Sequence, residues 1–275
     1  MLDKLTVVDS NVMQSSKLRD YLSVAHHVAV LPDFVWIECY KQQSVRAVSE
    51  LFSTLRYFPD QVIVLHDGRA IAGLDPRRHG YRDAFERRNV GADIRAMTKA
   101  IDEAEAGAEG VLAQLRARWA DTSSLMTGMT EGTEILAPTL NEVAEIFTAD
   151  EIYRCRTRSP YTGEMTEKVF RSAFALYETF VEQDGRVPVL PPYYAIQTYY
   201  YRLALGTMLH CLWWIRNGSQ PVKRPARLRN DFIDLGLAIY ATYYDDLLTD
   251  DAKAAWMYRE LSNALAFAAS IAVRP

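Results

Sequence analysis

The residues Leu5–Leu31 read LTVVDSNVMQSSKLRDYLSVAHHVAVL, and this stretch predicts the start of a parallel β-sheet. Leu5–Val8 is a short, β-branched apolar run that stops at Asp9, and His27–Leu31 is a second apolar run. Such runs are typical of buried strands. Ser10 and Asn11 can cap a helix over roughly Val12–Ser23, so the stretch predicts a strand-helix-strand unit.

The next residues extend this unit by another helix and strand. Pro32 and Asp33 open a predicted helix that runs to about Leu55, and Gln61–Leu65 (QVIVL) is a third apolar run. The first 65 residues therefore predict the order β-α-β-α-β, which implies a parallel sheet with right-handed crossovers.

The middle of the chain predicts helices without strands. Its periodic segments lie at about 81–86, 92–119, 140–153 and 166–183, with a polar break at 121–134 (DTSSLMTGMTEGTE). We therefore predict an α/β core made of residues 1–67 and 193–275, with residues 68–192 forming a large helical insertion.

Composition limits the location and the chemistry. The chain has 275 residues, a formal net charge of -4 and three widely spaced cysteines, which argue against a disulfide framework or a zinc site. The first residues predict no signal peptide, so we expect a cytoplasmic protein without a membrane partner. The apolar, tyrosine-rich segment Tyr193–Ile215 contains charged and polar residues, so it predicts a buried helix rather than a membrane span.

Six aspartates lie in residues 229–253, RNDFIDLGLAIYATYYDDLLTDDAK. Asp231 and Asp234 share one face at the opening of a predicted helix, and Asp251 follows a short predicted strand. In a parallel sheet, the carboxyl ends of the strands meet at one edge, so these acids are expected near Asp9 and Glu38. Clustered carboxylates suit a hard cation such as Mg²⁺. The alternative is that they cap and solvate a surface helix.

Four motifs taken together resemble the PIN-domain nucleases. They read VVDSN, FVWIECYK, DLGLAIYA and LLTDD, and the resemblance covers roughly residues 4–65 and 228–270. It implies a three-layer α/β/α sandwich with a central parallel sheet. It also implies hydrolysis of phosphodiester bonds, and we expect RNA rather than DNA as the substrate.

The resemblance assigns roles to particular acids. Asp9, Glu38, Asp234 and Asp251 are its implied catalytic residues and ligands of Mg²⁺ or Mn²⁺, with Asp231 as a further ligand. Bound metal ions would activate water and offset the charge that builds on the phosphate.

A phosphodiester substrate also needs positive charge close to the acids. The segment before the acidic helix supplies four basic residues that we predict bind substrate: Lys223, Arg224, Arg227 and Arg229. The expected partners are therefore nucleic acid and, through the aromatic helix, a second copy of the chain. An antitoxin or another protein partner is also compatible with the sequence.

Two rival functions are carried forward. A phosphatase of the haloacid dehalogenase type also begins with a strand that ends in Asp, but that family has a second Asp where this chain has Asn11. The other rival is a PIN-like binding or scaffold module that docks a partner through the helical insertion. A module has no reason to keep mutually repelling carboxylates together.

Overall fold

The computed structural model describes residues 3–87, 90–219 and 225–272, and it leaves the side chains of residues 128–141 and 225–228 undescribed. The strands and α-helices in chain order are β1 (Lys4–Val8), α1 (Ser16–Leu22), β2 (His27–Leu31), α2 (Asp33–Tyr40), α3 (Val45–Phe52), β3 (Val62–Val64), α4 (Gly68–Ala72), α5 (Val90–Glu105), α6 (Glu109–Ala144), α7 (Ala149–Arg156), α8 (Gly163–Asp184), α9 (Pro192–Ala195), α10 (Tyr199–Arg216), α11 (Pro225–Ala241), β4 (Asp246–Leu248) and α12 (Ala252–Ile271).

The four strands form one parallel sheet in the order β3-β2-β1-β4. Val7 of β1 lies between Val30 of β2 and Leu247 of β4. The predicted parallel α/β core is thus confirmed, and each predicted strand is present. The strand order reverses between β1 and β4, and ligands in parallel sheets bind beyond the carboxyl ends of the strands at such a reversal.

Apolar side chains cover both faces of the sheet. Val7 and Val30 belong to one buried cluster, which includes residues of α8, α10 and α11. Their chain neighbours Val8, Ala29 and Leu31 belong to a second cluster with residues of α1, α3 and α5. Alternate strand residues therefore point to opposite clusters, which is the arrangement of a sheet buried on both faces.

The predicted helix from Pro32 to Leu55 is wrong in one respect, because the structure divides it into α2 and α3. The polar residues between them contribute no apolar face, and Gln43 takes a positive φ of 50°. Ser44 then caps α3 by accepting a hydrogen bond from the amide of Ala47 at 3.5 Å. A local cap therefore outweighs helix continuation here.

The middle region is helical as predicted, but its breaks lie elsewhere. The predicted helix over 92–119 is wrong because it ends early, and Gly107 between α5 and α6 has a φ of +86°. The predicted break at 121–134 is also wrong, since α6 runs through it. Polar residues and glycines lower helix propensity by at most about 1 kcal/mol each, which neighbouring turns can offset.

The next predicted helix, over 140–153, is divided as well. It splits between α6 and α7, where Thr148 and Glu151 form a capping box.

The aromatic helix is packed inside the chain. Tyr199, Tyr201, Leu205 and most of the remaining α10 side chains are buried, as predicted. Their burial also removes most of this helix as a surface for a second copy. The predicted start of this helix at Tyr193 is wrong, because the segment is divided into α9 and α10, and Thr198 caps α10. No helix among the described residues is long and apolar enough to cross a membrane.

Helix α11 begins earlier than the sequence predicts. Its first residue is Pro225, so Asp231 and Asp234 lie in the helix interior rather than at its opening. Glycine permits its close packing, because a Cβ at Gly236 would overlap the ring of Phe34. This contact with α2 fixes the depth at which Asp234 lies in the fold.

Candidate metal centre

The ends of β1 and β4 meet at the point where the strand order reverses. The backbone amide of Asp9 donates to the carbonyl of Leu248 at 3.0 Å, so the two strands stay paired to their last residues. The residues that follow, Asp9 in one case and Thr249–Asp251 in the other, therefore lie side by side. This places two of the predicted acids at the carboxyl edge of the sheet.

Thr249 connects the two strand ends. Its hydroxyl donates to Asp9 Oδ2 at 2.7 Å and accepts from the Asp251 amide at 2.9 Å. Asn11 adds a second connection, because its Oδ1 accepts from the amide of Asp250 at 3.1 Å. The position of Asp9 relative to Asp251 is thus fixed by hydrogen bonds rather than by packing alone.

Asp9 is almost fully buried, with 5% of its surface exposed. Burial raises the pKa of its carboxyl, and the charge of Asp251 raises that pKa further. The hydrogen bonds from Thr249, Asn11 and Ser10 act in the opposite direction. Burial therefore disfavours the ionised form of Asp9, and the three hydrogen-bond donors offset part of that effect.

Asp251 is the N-cap of α12. Its Oδ1 accepts from the amides of Lys253 and Ala254 at 2.7 and 2.8 Å. Helix capping was the alternative role predicted for these acids, and Asp251 caps α12 through one carboxylate oxygen. Among the described residues, its Oδ2 accepts no hydrogen bond.

Asp234 is the most perturbed acid of the group. Burial raises the pKa of its carboxyl to about 7, and the charges of Asp251, Asp9 and Asp231 raise it as well, while Lys253 lowers it. Within the described part of the chain, no side chain or amide donates to it. The four aspartates predicted as ligands are therefore close enough to act on one another's charge.

Asp231 has a cationic partner. Its Oδ1 lies 2.5 Å from Lys253 Nζ, and its Oδ2 lies 3.9 Å from His210 Nε2. Burial and the charge of Lys253 lower the pKa of His210 to about 3, so this imidazole is neutral at physiological pH. Lys253 is therefore the cation that balances Asp231.

Glu38 has a cationic partner of its own. Its carboxylate pairs with Lys41, one turn later in the chain, and it lines a cavity of about 310 Å³ together with Ser10 and Asn11. The cavity thus places Glu38 beside the two residues that follow Asp9. Its role as a fourth ligand stays a prediction.

A second buried carboxylate at this edge of the sheet, Asp33, was not predicted to have a role. It follows β2 and accepts three hydrogen bonds, from the amides of Phe34 and Gly68 and from the hydroxyl of Tyr240, at 3.0, 3.2 and 3.2 Å. Burial raises the pKa of its carboxyl, and all three donors oppose that rise. Asp33 is therefore a satisfied, structural carboxylate.

The donor set suits a hard divalent cation, although its present arrangement does not enclose one. Across residues 3–87, 90–219 and 225–272, no three His, Cys, Asp or Glu side chains are arranged to hold a metal ion. Asp9, Asp251 and Asp231 are each engaged by protein groups. Among the described residues nothing donates to Asp234, and a cation bound beside it would favour its ionised form.

The predicted substrate-binding residues are only partly covered by the description. Lys223 and Arg224 lie outside the described residues, and so does the side chain of Arg227. Arg227 and Arg229 belong to α11, so the prediction that all four precede the acidic helix is wrong for these two. Arg229 is partly buried.

Comparisons with known proteins identified no similar protein. No family model matches the chain, and neither the curated proteins nor the solved structures contain a match.

Sequence reasoning overlooked two supporting residues. Thr249 was used only as part of a motif, and Lys253 was not assigned a role. A signal for Thr249 was present, because its hydroxyl directly precedes Asp250 and Asp251 at the end of a predicted strand. Lys253 gave no such signal, since its partner Asp231 lies 22 residues earlier in the chain.

Proposed function

We propose that the chain is a metal-dependent endonuclease with a PIN-like, three-layer α/β/α fold, which hydrolyses phosphodiester bonds, preferably in RNA. The proposal rests chiefly on the surroundings of the Asp234 carboxylate. Its side chain is partly buried, lacks a hydrogen-bond donor among the described residues, and has a pKa raised to about 7 by burial and by neighbouring aspartates. The preference for RNA rests on the motif resemblance alone.

The two apolar clusters on opposite faces of the parallel sheet support the three-layer arrangement. The acids follow the strands β1 and β4, between which the strand order reverses. Open parallel sheets commonly bind ligands at such a reversal, which supports the location proposed for the metal site.

In this proposal Asp9, Asp234 and Asp251 hold Mg²⁺ or Mn²⁺, with Glu38 approaching from the neighbouring cavity. A cation bound there would polarise a water molecule and the scissile phosphate. Thr249 orients Asp9, and the first amides of α12 orient Asp251. Asp234 would lose its proton as the cation binds, because the bound charge favours the ionised carboxylate.

Two lysines flank the acids and could contact the substrate backbone. Lys17 pairs with Asp250, and Lys41 pairs with Glu38. Both side chains are partly exposed, at 58% and 39%, so their ammonium groups can reach a phosphate in solvent. Such contacts provide affinity without sequence preference.

The test is cleavage of labelled single-stranded RNA and DNA by the purified protein with Mg²⁺ or Mn²⁺. We expect cleavage by wild type and a loss of about 1,000-fold in Asp9→Asn, because several kcal/mol of charge stabilisation disappear with the metal. Asp246→Asn is the matched control. Asp246 begins β4, at the opposite end of the strand from the site, and its side chain is 48% exposed.

Asp246→Asn should cleave as wild type does. The proposal is overturned if wild type with Mn²⁺ cuts neither substrate. If Asp9→Asn cuts as fast as wild type, the enzyme remains but its site lies elsewhere.

A further inference from the structure

Lys253 is a buried cation at the border of the acidic site. Its side chain is 10% exposed, and Nζ lies 2.5 Å from Asp231 Oδ1 and 4.7 Å from the centre of the Trp213 ring. These contacts join α12, α11 and α10. A buried ammonium costs several kcal/mol unless a charged partner compensates it, so the pair with Asp231 is needed for the fold.

The ammonium group also acts on the site itself. Its charge stabilises the ionised form of Asp234, whereas the charges of Asp9, Asp231 and Asp251 oppose that form. His210, the other basic side chain against Asp231, is neutral at physiological pH and supplies no charge. Lys253 is therefore a positive charge that the protein itself places beside Asp231 and Asp234.

This geometry limits the number of metal ions that the site can hold. Asp231 is the fourth aspartate of the group, and a second divalent cation bound to it would lie against an ammonium group that is 2.5 Å from that carboxylate. Two like charges at such a separation repel strongly in a partly buried setting. The carboxylates of Asp9, Asp234 and Asp251 lack a comparable ammonium partner within the described part of the chain.

We propose that Lys253 is the built-in cation of the site, which occupies Asp231 and restricts metal binding to one divalent cation held by Asp9, Asp234 and Asp251. This inference rests on the proposed function, and it makes Lys253 a positioning residue. Asp231 then serves as the partner of Lys253 and does not ligate the metal ion.

The test is a count of bound Mn²⁺ per chain, made by titrating metal-free protein and following free Mn²⁺ by electron paramagnetic resonance. We expect one Mn²⁺ in wild type. Lys253→Met keeps the length of the side chain but removes its charge, so it should bind a second Mn²⁺ through Asp231. It should also bind the first about tenfold more tightly, because a nearby positive charge is lost.

The matched control is the double variant Asp231→Asn with Lys253→Met, in which the ion pair is replaced by two neutral side chains. It should bind one Mn²⁺, because the ligand for a second ion is absent. Circular dichroism establishes that each variant is folded. The double variant removes both members of the ion pair, so neither is left without its partner, and it tests the inference even if Lys253→Met does not fold.

The outcomes separate this inference from the proposed function. Two Mn²⁺ per wild-type chain would overturn the inference and leave the nuclease proposal intact. A count and affinity unchanged in Lys253→Met would do the same, as would loss of Mn²⁺ binding in the double variant, which would show that Asp231 ligates the first ion. If wild type binds no Mn²⁺, the proposed function fails and this inference fails with it.

Discussion

Two buried carboxylates lie at the carboxyl edge of the same sheet, and their surroundings differ. Asp33, after β2, accepts hydrogen bonds from two amides and from the Tyr240 hydroxyl. Asp234, facing the ends of β1 and β4, has no donor among the described residues, and its neighbours are other carboxylates and Lys253. Burial raises the pKa of both groups, and the neighbouring carboxylates help to raise that of Asp234 to about 7.

The difference separates an acid that the fold satisfies from one that the proposed site would use. A fold that buries a carboxylate for its own stability surrounds it with donors, as it does at Asp33. Beside Asp234 the fold places further negative charge instead, which costs stability unless an external cation binds. Strongly perturbed acids of the second kind mark functional sites.

The largest expected effect is on the pH dependence of stability in metal-free protein. The pKa of Asp234 is raised from 3.8 to about 7 in the fold, so the folded state holds a proton that the unfolded state releases. The stability of wild type should therefore fall as pH rises through that window. Asn cannot ionise, so Asp234→Asn should be more stable than wild type at pH 8, by up to ~4 kcal/mol, with no advantage at pH 4.

Asp33→Asn should behave in the opposite way. The side-chain NH₂ of the new asparagine would face the Gly68 N–H, so two hydrogen-bond donors would point at each other. We therefore expect the free energy of unfolding to fall by about 1–3 kcal/mol at pH 8. Urea denaturation with a chelator present measures both variants. If Asp234→Asn is destabilised at pH 8 as Asp33→Asn is, the two carboxylates do not differ in the way proposed.

A smaller effect is expected from the hydroxyl that joins the two strand ends. Thr249→Val removes the donor to Asp9 Oδ2 and the acceptor of the Asp251 amide. Groups that orient ligands typically contribute 10–100-fold to metal affinity, so we expect weakening of Mn²⁺ binding by about that factor. Isothermal titration calorimetry measures the change.

Thr179→Val is the control for this loss. Its hydroxyl donates to a carbonyl of the same helix at an exposed position, so its removal should leave Mn²⁺ affinity unchanged. An unchanged affinity in Thr249→Val would mean that Asp9 and Asp251 do not act together on a metal ion.

The sheet was predictable because each strand carries a local signal. Leu5–Val8, His27–Leu31 and Gln61–Leu65 are apolar runs whose burial on both faces leaves few alternatives to a parallel sheet. The helix boundaries were less predictable, since they depend on single caps. The Ser44 cap before α3 and the positive φ at Gly107 both divide segments whose composition favours continuous helix.

The site could be predicted only in part, for a physical reason. Acids at the ends of strands can be located from sequence, because the strand ends of a parallel sheet converge. The partners of each acid cannot, since they come from distant segments. Lys253 reaches Asp231, and Tyr240 reaches Asp33 from 207 positions away. These partners, rather than the acids themselves, decide which carboxylates are satisfied.

The smallest expected effect tests the boundary between the two regions. Tyr240→Phe removes the hydroxyl that donates to Asp33 Oδ1 but keeps the ring, which packs against Phe34 and Tyr199. Asp33 retains its two amide donors, so we expect a loss of ~1 kcal/mol in urea denaturation. Mn²⁺ affinity should not change, in contrast to Thr249→Val. If Tyr240→Phe weakens Mn²⁺ binding as much as Thr249→Val does, Asp33 belongs to the metal centre, and hydrogen-bond satisfaction does not separate the structural acid from the functional one.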